Sequence, residues 1–99
     1  MLIAMQQSAA FVVAAADVKL FSQFSFTDLQ LASLAGADVS VQTGDVWIRY
    51  DGGGSAANGM LIKAGTIFRL NTRTEVLNCL LYRATSTSAT VVATALAGQ

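Results

Sequence analysis

The spacing of chain breaks is the feature that most constrains how this sequence can fold. The chain contains no proline, so glycine and short polar clusters interrupt its apolar segments. The breaks read AGAD, TGD, DGGGSAANG, KAG, NTRTE and ATSTSA, at residues 35–38, 43–45, 51–59, 63–65, 71–75 and 84–89. The segments between them are short, and short segments favour strands because helices usually need about ten residues or more.

Alternation within these segments indicates the same class of structure. In VWIRY, Val46, Ile48 and Tyr50 share one face of a strand, while Trp47 and Arg49 share the other. Similar alternation predicts strands at VSVQ, TIFRL, VLNCLLYR and TVVATAL, which are residues 39–42, 66–70, 76–83 and 90–96. Polar and apolar residues that alternate in this way are typical of half-buried antiparallel strands.

The first third of the chain has a less regular pattern. Residues 18–26 (VKLFSQFSF) and 29–34 (LQLASL) are predicted as strands. Residues 8–18 (SAAFVVAAADV) are rich in alanine, which favours a helix, but Phe11 and its two following valines favour a strand or extended arm, which we prefer. The prediction is an all-β fold, a small antiparallel β-sandwich or jelly-roll of six to eight strands over residues 24–99. Residues 1–23 precede it as an N-terminal arm or as its first strands.

Composition argues for burial against other chains. Hydrophobic residues make up 54% of the sequence and charged residues only 12%, against an average of about 25% charged in soluble domains. Large apolar patches rarely stay exposed on monomers, so part of this surface is expected to contact partners. The net charge is zero, and Glu75 interrupts the neighbouring Arg69, Arg73 and Arg83. Nucleic acid is therefore not an expected partner; the arginines are interpreted as solvated strand ends, with an acidic partner surface as the alternative.

The residues that usually carry chemistry are scarce. There is no histidine, the one cysteine is Cys79 in an apolar run, and the carboxylates are scattered along the chain. This composition predicts no catalytic residue, no metal site and no cofactor, and hence a protein that is not an enzyme. The N-terminus lacks a positively charged segment, so no signal peptide is predicted. No run approaches the roughly 18 apolar residues of a membrane-spanning helix, so no membrane partner is predicted.

The glycine-rich segment Asp51–Gly59 is interpreted as a connection between strands. A phosphate-binding loop ends in Gly-Lys-Ser/Thr before a helix, whereas this one ends in Asn58-Gly59-Met60 before a strand pattern. Its three consecutive glycines permit positive φ angles, and Asn-Gly is a common turn pair. Trp47 beside it is expected in the core, with an interface anchor as the alternative because tryptophan is enriched at binding hot spots.

Residues 36–96 resemble small structural proteins encoded by tailed bacteriophages. The motifs that carry the resemblance are Arg49-Tyr50-Asp51, Asn58-Gly59-Met60, Lys63-Ala64-Gly65 and the STSATV stretch at 86–91. The resemblance implies a virion component with a compact β-sandwich, often oligomeric. It leaves the position within the virion open.

The expected function is therefore that of a virion structural protein, made in the host cytoplasm. We expect a decoration or cement protein that bridges major capsid or other virion proteins as a homo-oligomeric trimer or dimer. The alternatives are a tail, collar or head–tail accessory protein, or a carbohydrate- or receptor-binding module. The residues expected at an interface are Phe11, Trp47, Arg49 and Tyr50.

Overall fold

A computed structural model describes residues 3–98, so the first two residues of the predicted arm and Gln99 lie outside it. Within that range the chain forms eight strands and two short helices. The strands are β1 (Ile3–Val13), β2 (Val18–Lys19), β3 (Leu34–Thr43), β4 (Val46–Arg49), β5 (Met60–Ile62), β6 (Ile67–Leu70), β7 (Leu80–Arg83) and β8 (Ala89–Gly98). The helices are α1 (Asp28–Ser33) and α2 (Arg73–Asn78). The predicted all-β class is confirmed.

The strands form two antiparallel sheets of four. The first sheet has the order β1-β8-β3-β6 and the second the order β2-β7-β4-β5. The first strand pairs with the last and so on inwards along the chain: β1 pairs with β8, β2 with β7, β3 with β6 and β4 with β5. The inner faces of the sheets share one apolar core. The chain is therefore a small antiparallel β-sandwich, as predicted.

The core is built from the inward positions of the alternating strands. The first sheet contributes Val13, Val39, Val41, Leu70 and Val91, and the second contributes Val46, Ile48, Ile62 and Leu81. Full burial of an aliphatic side chain of this size contributes about 1.5–3 kcal/mol to stability. The period of two in the sequence thus fixes which face of each sheet turns inward.

The N-terminal residues belong to both sheets. The interpretation of residues 8–18 as a strand is confirmed for Ser8–Val13, which lie in β1 opposite β8. The predicted strand at residues 18–26 is wrong beyond Lys19, because a 3₁₀ turn occupies Leu20–Gln23. Leu20 is fully buried, and Phe26 packs at 5.6 Å from Phe21 and 5.2 Å from Phe24 between ring centroids. Aromatic clustering at the end of the core therefore overrides the extended conformation.

The strand predicted at residues 29–34 is a helix over most of its length. Helix α1 begins with a capping box, in which Thr27 Oγ1 accepts from the Gln30 backbone N–H and Gln30 Oε1 accepts from the Thr27 N–H. A capping box satisfies two N–H groups that the first helical turn leaves without partners. The helix ends at Ser33, and β3 begins at Leu34.

The strand predicted at residues 76–83 is wrong in its first half. Helix α2 begins after Thr72, whose hydroxyl accepts from the Glu75 N–H at 3.1 Å, and β7 begins only at Leu80. Leu77 therefore lies in α2 and not in the strand that contains Leu81. Buried Val76 attaches the helix to the core.

Five of the six predicted breaks are connections between elements, among them the DGGGSAANG loop between β4 and β5, and one is not. TGD, KAG and ATSTSA join strands, with positive φ at Gly44 and Gly65, and NTRTE leads into α2. The AGAD segment lies inside β3, where an added Cβ at Gly36 would collide with the Leu70 carbonyl. No helix among the described residues is long and apolar enough to cross a membrane.

Candidate functional site on the outer sheet faces

The glycine-rich loop between β4 and β5 covers the outer face of the second sheet. Its Gly52 lies beside the Asn78 side chain, and its middle reaches Asp17 next to β2 before the chain returns to β5. Because β2 and β5 are opposite edges of this sheet and the inner face is filled by the core, the loop must cross the outer face over β7 and β4. Ala56, in a 3₁₀ turn of the loop, is fully buried.

Two carboxylates hold this loop. Asp17 Oδ1 accepts from Ser55 Oγ at 3.0 Å and from the Ala56 N–H at 3.1 Å, which ties the loop to the start of β2. Asp51 Oδ1 accepts from Arg49 Nε at 2.7 Å and from the Gly53 N–H at 3.1 Å. The Arg49 hydrogen bond, and after it the Gly53 N–H, lowers the pKa of Asp51, so the carboxylate stays ionised in mild acid. The loop is a fixed cover with its own hydrogen bonds.

The loop glycines are needed for backbone shape and for close approach. Gly52 and Gly54 use positive φ angles of 82° and 64°, while Gly53 does not use one. A Cβ at Gly54 would lie 2.7 Å from Arg49 Nη1. At Gly59 the φ angle is ordinary, but a Cβ would collide with the Ile48 carbonyl. These glycines therefore allow the backbone of the loop to follow its path over the sheet.

Trp47 lies on this outer face, so the expectation that it fills the core is wrong. Val46 and Ile48 point inward and are buried, and the strict alternation of β4 turns Trp47 outward, where it is partly buried. Its cross-strand neighbours are Leu61 and Tyr82. The next row along the same face is Arg49, Leu80 and Lys19. We call these six residues the aromatic face; its use as an interface stays a prediction.

The four residues predicted at an interface do not form one site. Trp47 and Arg49 lie on the aromatic face, whereas Tyr50 and Phe11 pack against the core from its two open sides. Tyr50 stands 5.6 Å from Phe68, on β6, between ring centroids. Phe11 is partly buried on β1, at the opposite edge of the first sheet.

The outer face of the first sheet is a second surface that sequence reasoning did not single out. Its strand register places three rows across the sheet. They are Ser8–Thr94–Asp38–Arg69, Ala10–Val92–Ser40–Ile67 and Val12–Thr90–Thr43, and we call them the small-residue face. Val12 and Ile67 are 58% and 66% exposed. The outward positions of VSVQ and TVVATAL were visible in the sequence, but the pairing that assembles them was not.

The charges on the small-residue face neutralise each other. Arg69 Nε and Nη2 donate to the Asp38 carboxylate at 2.6 and 2.9 Å, and this hydrogen bonding lowers the pKa of Asp38. The other two arginines of the sequence cluster point elsewhere: Arg73 donates to the Leu31 carbonyl and Arg83 to the Ser86 carbonyl. The three arginines therefore do not combine into a basic patch.

Chemistry-bearing groups do not converge in the part of the chain that the structure describes. A shallow cleft of about 400 Å³ lies at the base of the glycine loop, and its Arg49 and Asp51 are paired with each other. Burial raises the pKa of the Cys79 thiol to about 12, so the thiol stays neutral. Among residues 3–98 no three His, Cys, Asp or Glu side chains cluster as metal ligands would.

Comparison with known proteins adds no relative. A scan of protein-family models and searches of curated proteins and of solved structures found no match to this chain. The two outer faces and the sequence motifs described above are therefore the features of this chain that bear on its function.

Proposed function

We propose that this chain is a structural protein of a bacteriophage virion that decorates the capsid and bridges neighbouring capsid subunits. The small-residue face carries the proposal. Its eleven side chains are short or β-branched apart from one arginine, and its only two charges form an internal ion pair. Such a face packs against a partner without stripping water from an unpaired charge, which is the costly step in burying a polar surface. Subunits bound in this way favour the assembled shell by mass action.

The strand order supports a jelly-roll winding. An antiparallel ribbon in which β1 pairs with β8, β2 with β7, β3 with β6 and β4 with β5 folds into two four-stranded sheets when it wraps around a core. Jelly rolls of eight strands are used by viral capsid proteins and by lectins. This architecture is compatible with a virion role and does not by itself select one.

The motifs behind the phage resemblance support the proposal as connections around the second sheet. Arg49-Tyr50-Asp51 ends β4, Asn58-Gly59-Met60 begins β5, and Lys63-Ala64-Gly65 forms the turn from β5 to β6. Residues 86–91 lead from the β7–β8 turn into β8. Each motif thus coincides with a connection whose geometry the sandwich needs.

The proposal is tested on particles purified from the source of this sequence. Quantitative mass spectrometry should find the chain at a copy number comparable to that of the capsid subunit. A copy number far below that would favour the tail, collar or head–tail alternative, and absence from the particles would overturn the virion proposal.

The role of the small-residue face is tested by rebinding the chain to particles stripped of it. Ile67→Lys should reduce binding at least tenfold, because it adds an unpaired charge to the face. Leu29→Lys is the matched control, since Leu29 is also an exposed aliphatic residue, at 80% against 66% for Ile67, but lies on α1, away from that face. Equal binding of both variants would exclude this face as the capsid contact.

A carbohydrate-binding module is a second candidate, favoured by the outward position of Trp47, which the glycine loop leaves partly exposed. Aromatic rings beside a polar loop are the usual stacking surface for sugars. Titration of Trp47 fluorescence with oligosaccharides of differing composition should then show saturable change that Trp47→Phe abolishes. A flat response to every oligosaccharide would remove this candidate and leave the capsid proposal untouched.

A further inference from the structure

The four edge strands of the sandwich differ sharply in length. β2, β5 and β6 have two, three and four residues, and β6 also carries Arg69. β1 has eleven residues, with neither a charge nor a proline among them. Natural sandwiches protect edges with short strands, charges, prolines or bulges, because an open edge pairs with any other strand. β1 is the edge of this molecule that lacks nearly all of these protections.

Its protection is confined to the N-terminal end. A bulge interrupts the pairing with β8 between Met5 and Gln7. The Gln6 and Gln7 side chains there form hydrogen bonds with residues 25–33. Gln6 Nε2 donates to the Gln30 backbone carbonyl at 2.7 Å, and Gln7 Oε1 accepts from the Ser25 N–H at 3.0 Å. Beyond the bulge, Ser8–Val13 is regularly paired with β8 on one side. Every second residue of such a strand directs its N–H and C=O away from its partner, towards the free edge.

We propose that Ser8–Val12 pairs antiparallel with the same segment of a second copy, about a two-fold axis at Ala10. The two first sheets then form one continuous eight-stranded sheet. Residues opposite each other in an antiparallel pair point to the same face of the sheet. In two copies of one strand, even-numbered residues must therefore face even-numbered ones and odd-numbered residues odd-numbered ones, so the numbers of each opposed pair have an even sum. The pairing centred on Ala10 meets that condition.

The side chains of the segment are self-complementary in this register. On the outer face, Val12, which is 58% exposed, lies opposite the partner's Ser8. On the inner face, Phe11, which is partly buried, lies opposite the partner's Ala9. Each large side chain meets a small one, and the two-fold axis repeats both contacts. An unrelated strand would not supply this match, which is why a second copy is the occupant we assign.

The pairing also extends the small-residue face. Ser8, Ala10 and Val12 are its border on β1, so two copies joined at this border present one face of twice the width. The inference deepens the expectation of a homo-oligomeric trimer or dimer but does not rest on the capsid as partner. It is measured on the purified chain, whereas the capsid proposal is measured on particles, so either can fail alone.

Cysteine crosslinking tests the register. Ala10→Cys should oxidise to a disulfide-linked dimer, because position 10 faces itself across the axis at about 4.5–5.5 Å between Cα atoms, within disulfide reach. Val12→Cys is the control on the same exposed face. Its two copies would lie about 14 Å apart, because they are offset by four residues at ~3.3 Å each along strands that are ~4.8 Å apart, and they should stay reduced. Native Cys79 is fully buried and does not interfere. Equal crosslinking of both variants, or of neither, would overturn the register.

Light scattering on the full chain tests the assembly itself. The unmodified chain should be a dimer at micromolar concentration. Ala10→Lys should make it a monomer by placing two like charges at the axis, while Ile67→Lys, on the opposite edge of the same sheet, should leave it dimeric. A monomeric unmodified chain, or dissociation by Ile67→Lys but not by Ala10→Lys, would overturn the proposal.

Hydrogen exchange on the unmodified chain covers the case in which Ala10→Lys fails to fold. Alternate amides of Ser8–Val12 should exchange more slowly as concentration rises, while those of β6 should not change. Concentration-independent exchange at this edge would mean that it stays open for a different chain, and a second copy would be excluded.

Discussion

The outer faces of the two sheets of this sandwich differ in whether the chain covers them. The second sheet has strands of two to four residues and covers its outer face with its own glycine-rich loop. The first sheet has three strands of ten or eleven residues and leaves its outer face bare among the described residues. The difference follows from side-chain size, because Trp47, Leu80 and Tyr82 would expose large apolar areas without a cover. The small residues of the first sheet expose little apolar area each.

The outer face of the second sheet is covered by the chain itself, whereas the outer face of the first sheet is available to partners. The loop over the aromatic face is tied by Asp17, Arg49 and Asp51, so it is part of the fold. The small-residue face and the β1 edge beside it have no such cover within residues 3–98. The following predictions test whether the two faces are as independent as this arrangement implies.

The largest effect is expected from Gly59→Ala. Its methyl group collides with the Ile48 carbonyl, and because backbone cannot swing aside, stability in urea should fall by about 3 kcal/mol. Quenching of Trp47 fluorescence by acrylamide should rise in the folded protein as the loop lifts. The control is Gly65→Ala, where a Cβ meets nothing within 4 Å but φ is 88°. It should cost about 1 kcal/mol from the left-handed conformation alone and leave Trp47 quenching unchanged.

A smaller effect is expected from Asp17→Ala. The substitution removes the acceptor of two hydrogen bonds to the loop and should lower the free energy of unfolding by about 1–2 kcal/mol. Asp17→Asn keeps an acceptor and should lose less. Ser55→Ala also removes two hydrogen bonds, the one to Asp17 and the cap on the Ala57 N–H, and should lose about as much as Asp17→Ala. If Asp17→Ala left both stability and Trp47 quenching unchanged, the loop would not depend on this tie.

Acid should weaken the ion pairs on both faces, and with them the folded state, through protonation of a different carboxylate on each face. The Arg69 hydrogen bond lowers the pKa of Asp38, and the Arg49 hydrogen bond lowers that of Asp51, both from an ordinary value of 3.8. A lowered pKa gives stability that is present above the unfolded value and lost as pH falls through the folded value. Thermal denaturation between pH 5 and pH 2 should therefore show a shallower acid decline in Asp38→Asn and in Asp51→Asn. Only Asp51→Asn should also raise Trp47 quenching; the same quenching change in Asp38→Asn would mean that the faces are coupled.

The smallest effect on stability is expected from Ile67→Lys. Ile67 is 66% exposed on an edge strand, so the free energy of unfolding should change by less than about 0.5 kcal/mol. Because its binding effect is expected to be large, this variant separates recognition from folding. A loss of more than about 1 kcal/mol, which is typical of substitutions at buried or strained positions, would show that the small-residue face supports the fold itself.

Both helices were missed although each has a recognisable start. Thr27-Asp28-Leu29-Gln30 and Thr72-Arg73-Thr74-Glu75 match the capping-box pattern of Ser or Thr followed three residues later by Glu or Gln. The short apolar runs after them fit a strand equally well by periodicity. The cap was the available signal, and helices of six residues are stabilised by packing more than by propensity.

The sequence by itself determined the all-β class, which residues of β4 and of β6 share a face, and the turns at Gly44 and Gly65. These follow from a period of two and from backbone conformations that glycine adopts freely, and both are local properties. Only the tertiary structure decided that Trp47 faces outward beneath a loop and that rows from β1, β8, β3 and β6 make one face without net charge. Those outcomes depend on which strands become neighbours, and strand pairing joins residues far apart in sequence, where local pattern carries no information.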